Sequence, residues 1–295
     1  MARQREWPVV VGVDGSDPAL DAARWGAGEA ARTGASLRLV AAVGRSTLAM
    51  GGRPGLGHEQ RREAALRSLR DHLDAAAQEA ARMLPADRID REIRGGSAAE
   101  VLCEESARAA TVVLGTRGRG GFAGLLAGSV AVAVTAASRC PVVVVRGTVT
   151  ADGPVVVGVD RSPGSDAALG LAYEHAAARS APLVAVHAWS DDVFDPDVAL
   201  LLDWAAIEAD ERAVLDDQLA GWSQKYPDVP VRRMVVRGQA AAALLHHSSD
   251  AQLLVVGSRG RGGLAGLLLG SVSQAMLQHA WCPVLVARDP GAVEP

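Results

Sequence analysis

Glycine and arginine are concentrated in a segment that occurs twice in the chain. The first copy, GTRGRGGFAGLLAGSV, covers residues 115–130, and the second, GSRGRGGLAGLLLGSV, covers residues 257–272. Glycine lets several backbone N–H groups approach one anion, and each copy ends in a Gly-Ser where a helix is predicted to begin. The first turn of a helix offers free N–H groups and the positive end of the helix dipole. The pattern therefore predicts two phosphate-binding loops, with their arginines as candidates for charge-assisted hydrogen bonds.

Neither copy matches the two most familiar phosphate-loop motifs. No Gly-Lys-Ser/Thr occurs, which excludes a Walker A loop, and Ala123 stands where a dinucleotide fingerprint needs its third glycine. Each copy also follows the fourth predicted strand of its half rather than the first. A flexible connector is the alternative for a single copy. Because the second copy keeps every glycine, both arginines and the Gly-Ser, phosphate binding is the favoured interpretation.

One aspartate follows the first predicted strand of each half. Asp14 lies in VVVGVDGS and Asp160 in VVVGVDRS, so Arg161 replaces the glycine after the second aspartate. Two interpretations are equally good on the sequence alone. The aspartate either organises a strand-to-helix turn or accepts hydrogen bonds from a ligand amine or sugar hydroxyl. The Arg161 substitution could alter the mouth of the second site.

Other candidate groups form no catalytic or metal-binding pattern. His246 and His247 are adjacent on a predicted helix and point in different directions. The acidic segment 191–197 could attract Mg²⁺, but it lacks EF-hand spacing and is favoured as a solvated loop. No G-x-S-x-G or H-E-x-x-H motif occurs. The sequence thus identifies no catalytic residue and leaves any metal ligand unknown.

Strands and helices alternate along each half and must position these groups. In the first half, strands are predicted at 9–13, 37–43, 88–94, 111–114 and 141–145, with helices at 17–32, 59–83, 98–109 and 129–138. The second half repeats this order, with strands near residues 155, 183, 231, 253 and 283. The alternation predicts an α/β fold of two open, doubly wound, parallel five-stranded sheets, Rossmann-like and in tandem. Ligands of such sheets bind beyond the carboxyl ends of the strands.

The repeat sets the predicted domain boundaries. PVVVGVDGS and PVVVGVDRS are offset by 146 residues, whereas the glycine segments and the blocks CPVVVV and CPVLVA are offset by 142. Nearly constant spacing over this length indicates two homologous domains rather than a solenoid. We expect domain 1 at residues 1–147, domain 2 at 154–290 and a linker at 148–153.

Composition restricts the class of protein. Of 295 residues, 49% are hydrophobic but only 3% are aromatic, so the cores must consist of Ala, Val and Leu. A net charge of −4 argues against a binder of nucleic acid or of a membrane surface. No apolar stretch suits a leader or a transmembrane helix, and three cysteines make no disulfide framework. We expect a cytoplasmic protein.

The motifs together resemble the universal stress protein family in its tandem, ATP-binding form. The spacing Gly115-x2-Gly118-x9-Gly128-Ser129, and its repeat from Gly257, resembles the ATP-binding signature of that family. VVVGVDGS, GSAAEVL (residues 96–102) and CPVVVV resemble its other blocks, so the likeness covers essentially the whole chain.

The resemblance implies a role for each site residue. Asp14 and Asp160 would meet adenine, the backbone of Ala42 and Ala188 would face the base, and Gly12 and Gly158 would let the nucleotide lie against the first strand. The remaining contacts would hold phosphates and ribose. They are Gly115, Thr116, Arg117, Gly118, Arg119, Gly120, Gly121, Gly128, Ser129 and Val130 in the first half, and Gly257, Ser258, Arg259, Gly260, Arg261, Gly262, Gly263, Gly270, Ser271 and Val272 in the second.

The same resemblance implies a function and an assembly. The expectation is one ATP per domain, bound with Mg²⁺, in a nucleotide-dependent regulator of stress or growth. The alternatives are a slow ATPase or adenylyl-transferring enzyme, and an interaction module with structural ATP. The absence of a general base and of a lysine near the phosphates argues against an enzyme. The last strands would pair the two domains about a pseudo-two-fold axis, and a homodimer and a protein partner are expected, without nucleic acid or membrane.

Overall fold

The chain divides into two compact units, Met1–Arg146 and Gly147–Pro295. The computed structural model describes residues 7–44, 58–118, 127–147, 152–189, 203–260 and 269–288. The predicted domain and linker boundaries stay a prediction. Among the described helices, none combines the length and the apolar character needed to cross a membrane.

The first unit alternates strands and helices as predicted. Its elements are β1 (Val9–Gly12), α1 (Asp17–Thr33), β2 (Leu37–Val43), α2 (His58–Ala80), β3 (Ile89–Gly95), α3 (Ala98–Glu105), β4 (Thr111–Gly115), α4 (Ser129–Ala137) and β5 (Val142–Val145). Its strands are parallel, in the order β3-β2-β1-β4-β5. The helix predicted at 98–109 is α-helical only to Glu105 and then tightens into a 3₁₀ turn, Ser106–Arg108, as is common at helix ends.

The second unit repeats the first. Its elements are β6 (Val155–Val159), α5 (Pro163–Arg179), β7 (Leu183–Trp189), α6 (Trp204–Lys225), β8 (Val231–Arg237), α7 (Ala240–Ser248), β9 (Leu253–Gly257), α8 (Ser271–His279) and β10 (Val284–Ala287). Its strands are also parallel, in the order β8-β7-β6-β9-β10. The predicted fold class is confirmed.

The strand order shows where the topological switch point of the first sheet lies. In the first unit the chain runs outward from β1 to β3 and then crosses back to β4 and β5. Helix α1 contacts α2, and α3 contacts α4. Because crossovers are right-handed, the first helix pair covers one face of the sheet and the second pair covers the other. The switch point lies between β1 and β4, where Asp14 and the first glycine segment follow their strands.

Buried β-branched and small residues build these sheets. Every residue of β5 is at least 95% buried, and Val10 and Val11 of β1 are completely buried. Strands covered on both faces have this continuous apolar character. Ser16 and Ser162 cap the N-termini of α1 and α5, so the chain turns from strand to helix at the same point in both units.

Candidate functional site

Asp14 organises the turn between β1 and α1. Its Oδ1 accepts the backbone N–H of Ser16 at 3.0 Å and the Ser16 hydroxyl at 2.6 Å. The Ser16 hydroxyl oxygen also lies 3.3 Å from the carbonyl oxygen of Arg117, at the start of the glycine segment. These hydrogen bonds agree with the interpretation that Asp14 organises the turn. A ligand-binding role for its carboxylate stays a prediction.

The second half has the same turn. Asp160 Oδ1 accepts the Ser162 N–H at 3.0 Å and the Ser162 hydroxyl at 2.6 Å. The Ser162 hydroxyl oxygen lies 3.4 Å from the Arg259 carbonyl oxygen. Each aspartate is therefore joined through one serine to its own glycine segment, although about 100 residues separate them.

Glycine is required where the segment passes the aspartate. A Cβ added to Gly118 would collide with Asp14 Oδ2, and one added to Gly260 would collide with Asp160 Oδ2. The side chain of either aspartate is held from its other oxygen by a serine, so it cannot withdraw without breaking that turn. This contact explains the glycine at the fourth position of both copies.

Close packing also accounts for other predicted glycines. A Cβ on Gly115 would lie 2.5 Å from the Pro18 carbonyl oxygen, and one on Gly12 would lie 2.8 Å from Leu114 Cδ2. In the second half, a Cβ on Gly257 would lie 2.9 Å from the Gly164 carbonyl oxygen, and one on Gly158 would lie 3.0 Å from Leu244 Cδ1. These four glycines thus bring strands and helices close together at the edge of the cleft.

The Gly-Ser pairs begin helices that lack a side-chain cap. Gly128 and Gly270 occupy the N-cap positions of α4 and α8 in extended conformations, and the structure describes no capping side chain at either helix. The N–H of Gly128 donates to the Thr116 carbonyl at 2.7 Å, and that of Gly270 donates to the Ser258 carbonyl at 2.8 Å. The first turn of an α-helix has backbone N–H groups without an intrahelical partner, which is what an anion-binding helix start requires.

A cavity of about 680 Å³ lies at this edge in the first half. Its size is within the usual range for small-molecule sites. The cavity brings together every predicted first-half site residue that the structure describes: Gly12, Asp14, Ala42, Gly115, Thr116, Arg117, Gly118, Gly128, Ser129 and Val130.

Sequence reasoning missed the walls of this cavity. Helix α2 contributes Ala65, Ser68, Leu69 and His72, whose spacing of three and four residues puts them on one helix face. That periodicity was the only signal in the sequence for this wall, and it does not say which face of the helix meets a ligand. His72 Nε2 lies 3.4 Å from the Ser68 hydroxyl oxygen. Helix α2 thus gives the cavity an apolar wall with one polar pair.

The predicted residues of the second half occupy the corresponding positions. Ser271 is exposed and Val272 is half-buried at the start of α8, as are Ser129 and Val130 at the start of α4. Ala188 is half-buried near the end of β7, as Ala42 is near the end of β2. Six predicted residues and the acidic segment 191–197 lie outside the described residues; the six are Arg119, Gly120, Gly121, Arg261, Gly262 and Gly263.

The remaining candidates form no metal centre among the described residues, where no group of three His, Cys, Asp or Glu side chains could hold an ion. His246 and His247 meet edge to face with ring centroids 5.2 Å apart. Burial, together with the neighbouring His246, lowers the pKa of His247, which favours the neutral ring. Cys140 and Cys282 are buried thiols that form no disulfide within the described part of the chain.

The whole chain is similar to known proteins in sequence and in fold. The model of the universal stress protein family matches residues 8–146 and again 153–288. A universal stress protein of Mycobacterium tuberculosis strain H37Rv is 39% identical over 301 residues, covering 97% of this chain and 98% of that protein. The crystal structure of a universal stress protein from Archaeoglobus fulgidus has a TM-score of 0.69 and 19% identity, covering 96% of both chains.

Proposed function

Because this chain belongs to the universal stress protein family, we propose that each half binds one ATP beside its aspartate turn and that the protein is a nucleotide-dependent regulator of stress or growth. The observation that carries this proposal is the cavity of the first half, which joins an apolar wall to an uncapped helix start. The same aspartate turn and uncapped helix recur in the second half.

The apolar end of the cavity suits a purine base. Ala65 and Leu69 of α2 and Leu102 of α3 line it and offer the nonpolar contact that an aromatic ring needs. The Asp14 carboxylate stands at the same edge, with Oδ1 committed to Ser16. The second oxygen, Oδ2, faces Gly118 and is the atom to which we assign recognition of the adenine amine or a ribose hydroxyl.

The loop end suits phosphates. The first-turn N–H groups of α4, the Ser129 hydroxyl and the helix dipole all favour an anion there. Arg117 is exposed at the same end and supplies positive charge. We infer that Mg²⁺ arrives bound to the phosphates of ATP, since the described residues contain no cluster that would hold it alone.

Counting bound nucleotide tests the proposal. Native mass spectrometry and equilibrium dialysis of the purified chain with ATP should each give two nucleotides per chain. Consistent absence of bound adenine nucleotide would overturn the proposal. The dialysed nucleotide should remain ATP, whereas ADP or AMP accumulating over many turnovers would favour the slow ATPase or adenylyl-transferring alternative.

A further inference from the structure

The wall beside the aspartate turn carries different side chains in the two halves. The equivalence of positions is fixed by the repeat and by one ion pair that occurs in both: Arg91–Asp74 in the first half and Arg233–Asp216 in the second. At three equivalent positions around the turn the first half has small or apolar residues and the second has ionisable ones: Gly15 and Arg161, Ala41 and His187, Leu69 and Glu211. Of the first-half residues, Leu69 lines the cavity.

The space between the turn and the neighbouring helix is filled by a helix side chain in the first half and by a turn side chain in the second. In the first half, a Cβ on Gly15 would collide with the ring of His72, which reaches over from α2. In the second half, Val214 stands where His72 would be, and Arg161 reaches from the turn toward α6. Arg161 keeps the left-handed backbone of Gly15, with φ of 65° against 80°. A residue with a side chain adopts this conformation at a cost, so its contacts must hold it there.

Arg161 is held by Glu211. Its Nη2 donates to Glu211 Oε2 at 2.9 Å, and the two side chains are 41% and 21% exposed. Glu211 stands at the position of Leu69, which lines the first-half cavity. The ion pair therefore spans from the turn to the helix across the wall that is apolar in the first half.

His187 also contacts the Glu211 carboxylate. The completely buried His187 ring has Nε2 2.8 Å from the same Oε2 atom, and Nδ1 2.8 Å from the Val159 carbonyl oxygen. The two ring nitrogens of His187 therefore face two different oxygen atoms, one of the backbone and one of the Glu211 carboxylate. Burial by itself raises the pKa of Glu211, but the hydrogen bond and charge of His187 and the charge of Arg161 outweigh it and lower that pKa. The carboxylate is thus ionised and anchored at neutral pH.

We propose that Arg161 and Glu211 determine the affinity of the second nucleotide site, because their ion pair closes the wall against which the base must pack. This inference rests on the proposed function. ATP binding in the second half has to open the pair, and it is therefore weaker than binding in the first half. Salt screens partly exposed ion pairs, so raising the ionic strength favours the second site relative to the first.

Titration of the full chain with ATP, followed by native mass spectrometry, tests the inference. The wild-type chain should bind two ATP molecules in two steps. Their dissociation constants should differ by more than the statistical ratio expected for two identical sites. Arg161→Gly should tighten the weaker step about three- to fivefold, as expected for loss of a partly exposed ion pair, and should abolish the salt effect on the ratio of the steps. Glycine suits the φ of residue 161, so this variant should fold.

Two further variants complete the experiment. Glu211→Gln keeps a partner for His187 but loses the charge, and should tighten the weaker step less than Arg161→Gly does. Arg233→Ala removes an exposed ion pair of the same helix away from the turn, and should leave both steps unchanged. Equal wild-type affinities, or an Arg161→Gly chain whose weaker step is unchanged or weaker still, would overturn the inference alone. Absence of ATP from both sites would instead overturn the proposed function.

Discussion

At the scale of single residues, the two aspartate turns give a motif residue a structural role at the junction of strand and helix. Oδ1 of Asp14 accepts from Ser16 while Oδ2 lies against Gly118, and Asp160 has the same arrangement with Ser162 and Gly260. The sequence left the two roles of the aspartate as alternatives. The contacts make them compatible, because the two carboxylate oxygens face different groups.

The fit between Gly118 and Asp14 yields a prediction. Gly118→Ala would push its methyl group into Asp14 Oδ2, displace the turn and weaken ATP binding in the first half at least tenfold. Calorimetric titration of this variant with ATP should then detect one binding site, against the two expected for the wild-type chain.

Gly95→Ala is the matched control, because a Cβ at Gly95 meets nothing within 4 Å. It should bind two nucleotides as the wild-type chain does. A Gly118→Ala chain that still binds two nucleotides with unchanged affinity would show that the contact has no part in binding.

At the scale of elements, the two halves cap equivalent helices differently. Ser97 and Glu100 form a capping box at α3, where Ser97 accepts the Glu100 N–H and Glu100 accepts the Ser97 N–H at 3.2 Å. The N-cap residue of helix α7 is Gln239, and no side-chain cap is described there. The glycines before the two helices have the same φ of 136°, so the backbone path is alike and only the side chains differ.

Installing the box should stabilise the second half. Gln239→Ser with Ala242→Glu gives α7 the capping residues of α3, and a serine N-cap contributes about 1 kcal/mol. Amide hydrogen exchange of α7 should slow, while exchange of α3 should stay the same. Unchanged protection of α7 would mean that the helix is held by packing rather than by its first turn.

The existing box predicts a dependence on pH. Hydrogen bonds from the Ser97 hydroxyl and backbone N–H lower the pKa of Glu100. A carboxyl group with a lowered pKa in the folded state stabilises that state above its ordinary pKa, and the contribution disappears as the pH falls through the lowered value. The melting temperature difference between wild type and Glu100→Ala should therefore be largest near neutral pH and shrink in acid. A difference that does not change with pH would exclude the ionised carboxylate as its cause.

At the scale of the whole molecule, duplication gives one chain two aspartate turns and two glycine segments that need not behave alike. The turns, glycine contacts and uncapped helices are repeated with differences of about 0.1 Å in their shared hydrogen bonds. The walls have diverged, and His187, which is completely buried, stands where the first half has alanine. Repetition of the phosphate end with divergence of the wall is the pattern expected if both halves bind the same anion with different affinities.

The homodimer implied by the family resemblance also stays a prediction. Light scattering coupled to size-exclusion chromatography should give twice the chain mass of 30.4 kDa, because symmetric pairs are the commonest soluble assemblies. The mass should be measured both with and without ATP, and a single-chain mass in both conditions would contradict the expectation.

The sequence by itself determined the fold class, the duplication and the edge of the sheet at which Asp14 and the glycine segment meet. It could do so because buried β-branched runs, a constant repeat offset and Gly-Ser helix starts depend on local physics. Only the tertiary structure decided why Gly118 is glycine, which face of α2 forms the cavity wall, and that Arg161 meets Glu211, 50 residues away. Those contacts join residues that are distant along the chain, and the packing of helices on the sheet brings them together.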